Sequence, residues 1–465
     1  MKKFLIILLT LTIVVPAAYA RQSKSEIKHE QNKIHYLNLS WWEKYQDPIL
    51  VDNIKKLYEV NYDLKNADLK VKENEKLVKI QFANELPMLS FDGSLGRQFR
   101  SSDQRFGNLL IPSFAQYNYQ LPLTMTYEVD IWGQNRLKTK SVEQQLAIVK
   151  QAERATYITL TSDFTADYFN LIKTDKFLQI QNELVKIQED IVAKTMKKYD
   201  AGLCTINEVL AEQKLLTQLK EEQNNLTEKK DVLSNSLRVY LSMKEGEPSR
   251  AKYEDLILLT GIPMQYDTTV IENRPDYLQE EANIKRMGFD VRIARKEFLP
   301  KFIIFGQIGL NAYDWGKLFN SYSQLFNAGI LPSFDLFAGG RKMAMLKLRK
   351  YQYEEALNSY QKTILESIKE INLGLAGYKI AMENYDQSTE RMKIQSKIYK
   401  LMEDKHDIGA ASDIDVLYSR EAHLLMQKEE ISNKINYLIS TISLYKAVGG
   451  IDLYSINAPV AREDI

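Results

Sequence analysis

The chain is poor in the residues that build most small chemical sites. Its 465 residues contain one cysteine, Cys204, and four histidines. A lone cysteine excludes an internal disulfide framework and any metal site made of clustered cysteines. The histidines, His29, His35, His406 and His423, show no HExxH or related metal-binding spacing. Neither charge sign dominates: 62 lysines and arginines face 61 aspartates and glutamates. That balance supplies no electrostatic reason to expect a nucleic acid partner. Only eleven prolines and nineteen glycines are present, which points to long uninterrupted elements. Beyond residue 20 no run of about 18 apolar residues occurs, so no membrane-crossing helix is expected in the mature chain.

What is present begins with MKKFLIILLTLTIVVPAAYA. Lys2 and Lys3 precede an apolar stretch from Phe4 to Val15, and small residues follow at Ala18 and Ala20. This is the pattern of a secretory signal, with cleavage expected after Ala20. No cysteine follows that point, so an N-terminal lipid anchor is not expected. Tyrosine, with 27 copies, is abundant.

Three landmarks recur in the same order, as expected of two internal repeats. Leu86-Pro87 with Gly93-x-x-Gly96 returns as Leu299-Pro300 with Gly306-x-x-Gly309. Asp130-Ile131-Trp132-Gly133 through Arg136 returns as Asp335-Leu336-Phe337-Ala338 through Arg341. KYDAGLCTINEVL, from Lys198, returns as KHDIGAASDIDVL, from Lys405. The second copy is shorter between its first two landmarks, where an exposed loop would absorb a deletion.

Each copy switches between two periodicities. From Tyr117 to Val129 the odd positions are Tyr, Tyr, Leu, Leu, Met, Tyr and Val, and the even ones are mostly polar. Leu89, Phe91, Leu95 and Phe99 alternate likewise, as do Phe302, Ile304, Ile308 and Leu310, and then Phe326, Ala328, Ile330 and Phe334. Segments of about 10 to 13 alternating residues suit tilted membrane-crossing strands, with tyrosines at an interfacial girdle. Two hairpins of a soluble sandwich remain the alternative on pattern alone. Between Gly133 and Tyr199 there is no proline or glycine, and Leu171, Leu178, Val185, Val192 and Tyr199 fall every seven residues. Tyr378, Tyr385, Met392, Tyr399 and His406 repeat that spacing. A helix of roughly 65 residues would extend about 100 Å. Extra apolar residues at Phe177, Ile180, Leu184, Ile187 and Ile191 call for neighbours on two sides. Helical turns are expected near Gly202 and Gly409, with return helices ending near Tyr240 and Tyr445. Four strands cannot close a transmembrane barrel, and an open edge in lipid leaves backbone groups unsatisfied, so strands placed in a membrane demand oligomerisation.

These features together resemble the TolC-like outer-membrane factor family. Trp41-Trp42, Asp47-Pro48 and Asn61-Tyr62-Asp63-Leu64 look like its multidrug and metal efflux branch. The resemblance runs over about residues 41 to 450. It implies an α+β membrane protein: a trimer whose four strands per protomer make a 12-stranded transmembrane β-barrel, continued by a long antiparallel α-helical coiled-coil barrel through the periplasm. The expected organisation is a signal peptide at 1–20 and a first repeat at 21–250, its β-hairpin at about 88–130 and its helical hairpin turning near 202. A linker at 251–272 follows. A second repeat at 273–450, with a β-hairpin at about 301–336 and a turn near 409, precedes a tail at 451–465.

No catalytic constellation is found. His406 and His423 read as structural, Cys204 as a small residue near a turn, and Gly93-x-x-Gly96 lies in a strand, where a phosphate cradle is not expected. Thr205-x-x-Glu208 and Ser412-x-x-Asp415 both fit a capping box. GAASDIDVLY, from Gly409, resembles the family's gating segment, in which an acidic ring narrows the pore. Asp415 matches the ring position. Tyr418 stands where some relatives have a second aspartate, while Asp413, and Glu208 on the other turn, add charge at the mouth. The turns at Gly202-Leu203 and Gly409-Ala410 are candidate docking points for an adaptor, although glycine there also serves as a left-handed cap.

The resemblance therefore implies a non-enzymatic, passive outer-membrane exit channel of a tripartite efflux pump, without cofactor or bound metal. Its implied partners are two further copies of itself, a periplasmic adaptor (membrane fusion) protein, an inner-membrane transporter and outer-membrane lipid. A duct of a type I protein secretion system and a soluble periplasmic coiled-coil scaffold are the alternatives.

Overall fold

A computed structural model describes residues 38–100, 105–106, 109–110 and 114–454. The expected signal segment, His29, His35 and positions 455–465 lie outside the described residues. The chain divides into two compact units. Among the described residues, one comprises 38–68, Ala152–Tyr277 and 363–454; the other comprises Leu69–Gln151 and Leu278–Lys362.

The second unit holds the sheet. Its strands are β1 (Met88–Phe91), β2 (Ser94–Arg100), β3 (Arg105–Phe106), β4 (Leu109–Leu110), β5 (Phe114–Val129), β6 (Lys301–Ala312) and β7 (Gln324–Ser333). The main sheet runs β1-β5-β6-β7, and β2 also pairs β5, so β1 and β2 share one edge of β5 in succession. Every pairing is antiparallel, and facing residues in such pairs project to the same side. The register aligns the alternations. Leu123 faces Phe91 on one side and Ile308 on the other, and Ile308 faces Phe326. Tyr127, Ile304 and Ile330 form another such row. One residue along, Ser90, Thr124, Gln307 and Asn327 form a polar row. The apolar face is uncovered in the single chain: Phe91 is 65%, Phe326 79% and Ile330 63% exposed. The second face is not purely polar, since Ile303 faces Leu331 across it.

Pro122 occupies the middle of β5 without breaking the sheet. A residue in an antiparallel ladder directs its N–H and C=O to the same neighbour. The Pro122 carbonyl accepts the Asp92 N–H at 3.2 Å, so its missing donor falls where β1 gives way to β2. On the opposite edge Pro122 faces Gly309. A Cβ on Gly309 would lie 2.2 Å from the Leu121 carbonyl oxygen and 2.6 Å from Pro122 Cα, whereas one on Gly306 meets nothing nearer than Met125 Cε at 3.8 Å. Gly309→Ala is therefore expected to destabilise the folded protein by about 1–3 kcal/mol through forced backbone movement. Gly306→Ala should be near neutral, and thermal unfolding of both variants checks the contrast.

The other unit is helical. It contains α1 (Leu39–Glu43), α2 (Pro48–Val60), α5 (Ile206–Tyr240) and α8 (Asp413–Ala447). The helix α3 (Tyr62–Ala83) lies largely in the sheet unit, as does α6 (Pro275–Lys296). Two helices of 67 residues each, α4 (Gln134–Asp200) and α7 (Arg341–Asp407), contribute to both units. The helical core forms around Trp41, Trp42, Tyr168, Phe164 and Tyr445. Trp41 stacks on Tyr445 at 5.3 Å, and Trp42 meets the same ring edge-on at 5.2 Å. Asp47 accepts the Leu50 N–H at 2.9 Å, capping α2, while its other oxygen accepts the Tyr168 hydroxyl at 2.7 Å. Pro48 takes the first helical turn, where its absent N–H costs nothing. Asn61 accepts the N–H groups of Asp63 and Leu64 and donates to the Tyr240 carbonyl, fastening the start of α3 to the end of α5.

Helix α4 has neighbours on two sides within this unit. Gln181 donates to the Leu219 carbonyl on α5 at 2.8 Å. On another side Ile180, Leu184, Ile187 and Ile191 pack with Leu424 and Ile431 of α8. Helix α8 in turn meets α7, where the Tyr378 and Tyr437 hydroxyls lie 3.1 Å apart. The lateral order is thus α5, α4, α8, α7. Helix α7 leaves a heptad stripe open: Leu373, Ile380, Ile394 and Leu401 are 50–61% exposed, with Gln387 the one polar member, and Ile408 continues the spacing just past the helix end.

Candidate functional site

The residues singled out in the sequence lie at the two helical turns, α4 to α5 and α7 to α8. Both turns close in the same way. Gly202 and Gly409 have φ of +72° and +74°, the left-handed conformation that a side chain resists. The Leu203 N–H reaches the Lys198 carbonyl and the Gly202 N–H the Tyr199 carbonyl, each at 2.8 Å. Ala410 and Gly409 repeat this with the Lys405 and His406 carbonyls at the same distances. That double bond pattern ends a helix sharply. The capping boxes then start the return helices. Glu208 accepts the Thr205 N–H and hydroxyl at 3.0 Å each. Asp415 accepts the Ser412 N–H at 2.9 Å and hydroxyl at 2.7 Å. These bonds hold both carboxyls below the usual range, the backbone bond leading for Glu208 and the hydroxyl bond for Asp415. Leu203 and Ile408 project at the turns, 76% and 79% exposed.

Asp413 does more than add charge. It pairs with Lys194 of α4 and accepts from the His406 Nε2–H at 2.8 Å, joining α4, α7 and α8. The Lys194 bond first, then the His406 bond, push its pKa down to about 2. A depressed carboxylate stabilises the fold above its unfolded pKa and loses that contribution as pH falls through its folded one. This three-helix tie therefore contributes fully above about pH 4, the unfolded carboxyl value, and is lost as pH falls towards about 2.

A second tie crosses from α8 to the other hairpin. The Tyr418 hydroxyl donates to Glu212 Oε1 on α5 at 2.6 Å, and Gln188 of α4 donates to Glu212 Oε2 at 2.6 Å. Burial, then the Glu212 bond, raise the Tyr418 pKa so that the phenol stays a donor. Glu421 is raised too, by burial first and then by the Glu212 charge. Lys194, Glu212, Gln188 and Glu421 were not among the residues expected from sequence. No local signal marks them: Tyr418 and Glu212 stand 206 positions apart. His406, read as a structural heptad residue, is exposed and bonds Asp413 across the turn. His423 lies against Tyr399 with ring centroids 5.4 Å apart, and burial lowers its pKa. The Cys204 thiol donates to the Thr195 carbonyl at 3.4 Å, within one helical end.

Paired helical hairpins and a two-faced antiparallel sheet are the parts of an outer-membrane channel. The fold matches that of the CmeC outer membrane channel of Campylobacter jejuni, with a TM-score of 0.81 at 22% identity, covering 89% of this chain and 88% of that one. The chain belongs to the outer membrane efflux protein family, whose profile matches residues 53–242 and 268–450. The family is one of channel-forming efflux proteins, not of enzymes. The chain is 26% identical over 416 residues to the probable efflux pump outer membrane protein TtgC of Pseudomonas putida, covering 88% of this chain and 84% of that protein. It is 23% identical over 427 residues to the cation efflux system protein CusC of Escherichia coli O157:H7, covering 90% and 89%.

Proposed function

We propose that this chain is the outer-membrane exit duct of a tripartite efflux pump, a passive trimeric channel that carries small molecules, drugs or metals, to the exterior. The observation that supports this reading is the strand register, which aligns apolar rows such as Phe91, Leu123, Ile308 and Phe326 across the main-sheet strands on one exposed face. Such a face suits lipid. Among the described residues, β7 and the β1/β2 edge have no outer partner strand, and an unpaired edge is not tolerated in a bilayer. Three copies pairing edge to edge close a 12-stranded barrel. The chain is then one protomer written twice, over 21–250 and 273–450, behind a cleaved signal at 1–20. The efflux roles printed in the names of TtgC and CusC favour a pump over a protein secretion duct.

The open stripe on α7 supplies the helical half of the trimer contact. Glutamate at both Ile380 and Leu401 is expected to leave the protein monomeric, since charges on a coiled-coil seam remove its apolar burial. Size-exclusion chromatography with light scattering reads this directly. The function itself is tested in outer-membrane fractions: a heat-modifiable trimer is expected, together with increased sensitivity to drugs or metals when the gene is deleted. A monomer confined to the soluble periplasmic fraction would refute the duct.

Gly202, Leu203, Gly409 and Ala410 form the tips to which a periplasmic adaptor docks, coupling the duct to an inner-membrane transporter. Asp415 forms an acidic ring at the closed entrance, with Asp413, Glu208 and Tyr418 beside it. Asp415→Asn keeps a carbonyl for the Ser412 cap while removing the charge. It is expected to lower cation preference in planar bilayers by about twofold or more, because three like charges at a narrow mouth concentrate cations. Unchanged reversal potentials would remove Asp415 from that role.

A further inference from the structure

Two helical stripes in the sheet unit line a cavity of about 390 Å³. On α6, Gly288, Val291, Arg292 and Arg295 are spaced by three and four residues and so share a face. On α7, Lys350, Tyr353 and Glu354 do the same. The Tyr353 ring lies against α6 at Gly288, 3.7 Å from where a Cβ would stand. Arg292, Arg295 and Lys350 bring three positive charges to this cavity, and Glu354 is the only carboxylate lining it. Among the described residues none of the three cations has an ion-pair partner, although the neighbouring Arg349 pairs with Asp290 at 3.6 Å. Asp290 is engaged a second time, by the Ser141 hydroxyl at 2.7 Å. All three are exposed, so water screens their repulsion, but together they make one open groove locally positive and favour an anion there. Two guanidinium groups suit the planar, two-oxygen recognition that phosphate offers, and an ammonium adds a point charge.

We propose that the α6–α7 cavity is a binding site for a phosphate-class anion held by Arg292, Arg295 and Lys350. The position suggests where such an anion comes from. Arg295 precedes the first residue of β6 by six positions and Arg292 by nine, so both arginines lie on the last turns of α6, just before the chain enters the strand. If the sheet crosses the membrane, as proposed above, that is the depth of phospholipid headgroups. The lipid source rests on that reading; the anion site does not. Free phosphate is the other source of the same chemistry.

The test uses the full-length protein and three probes: phosphatidylglycerol, phosphatidylcholine and inorganic phosphate. Native mass spectrometry of detergent-solubilised protein should show phosphatidylglycerol retained in preference to phosphatidylcholine. The variant Arg292→Gln/Arg295→Gln/Lys350→Gln should lose that retention at least tenfold. Arg292→Lys/Arg295→Lys, which keeps the charge, should retain most of it. Removing the same charge elsewhere on α7, with Lys393→Gln, Lys397→Gln and Lys400→Gln, should change nothing. If inorganic phosphate alone binds with the same residue dependence, the site stands and its source is the free anion. Equal retention by the wild type and the triple glutamine variant, or no preference for phosphatidylglycerol together with no phosphate binding, overturns the proposal. Bilayer conductance of the same preparations reports insertion separately, so failure of the membrane reading is not mistaken for failure of the site.

Discussion

Arginine in place of Leu123 is expected to abolish recovery of the protein as an outer-membrane trimer, while arginine at Thr124 is expected to leave it in place. The two positions are neighbours near the middle of β5 and differ in the face they present. Leu123 stands in the row with Phe91, Ile308 and Phe326; Thr124 stands in the row with Ser90, Gln307 and Asn327. A basic side chain on the lipid face near the bilayer midplane costs about 2–4 kcal/mol, and the cost recurs in every copy of an oligomer. On the polar face the same side chain meets hydroxyls, amides and water. Membrane fractionation followed by electrophoresis of unheated samples distinguishes the outcomes. Equal recovery of both variants would show that the apolar face does not meet lipid, and the barrel reading would fall with it.

Much of this architecture follows from regularities readable along the chain. The span without proline or glycine after Gly133 foretells α4, which runs from Gln134 to Asp200. The alternation of Tyr117 to Val129 foretells β5, and the structure extends that strand back to Phe114. The hydroxyl-x-x-acid spacings foretell both caps because a capping box is local chemistry. What was not readable depends on partners distant in sequence. The division between β1 and β2 falls opposite Pro122 on the paired strand, and the need for glycine at 309 follows from the close approach of the Leu121–Pro122 backbone on the other edge. Trp41 and Trp42 mark a resemblance in the sequence. Their physical role, closing the helical core against Tyr445, emerges only when residues about 400 positions apart are brought together. Asp413 reads as spare charge at a turn until Lys194 and His406 are placed beside it.

The tie between the hairpins leads to the second large effect. Phenylalanine at Tyr418 is expected to raise the resting conductance of the channel severalfold, because it deletes one hydroxyl and little else. That hydroxyl is the α8 end of a chain running through Glu212 of α5 to Gln188 of α4. A hydrogen bond to a charged group is worth about 1.5–3 kcal/mol when enclosed. Tyr418 is 41% exposed, so about 1 kcal/mol per copy is the fairer figure, roughly a fivefold shift towards any state in which the hairpins part. Glu212→Gln should act in the same direction. Acidification supplies an independent sign. Burial and the Glu212 charge raise the Glu421 pKa, so its ionised form is disfavoured while the hairpins stay packed together. A carboxyl with a raised folded pKa adds stability as pH falls through that pKa, and the added proton also removes its repulsion of Glu212. Resting conductance of the wild type should therefore decrease on acidification towards the Glu421 pKa, with a weaker response in Glu421→Gln. Planar bilayer recordings of wild type, Tyr418→Phe and Glu421→Gln across that range test both parts. A Tyr418→Phe channel as closed as the wild type would show that Tyr418 and Glu212 brace the helices without gating them.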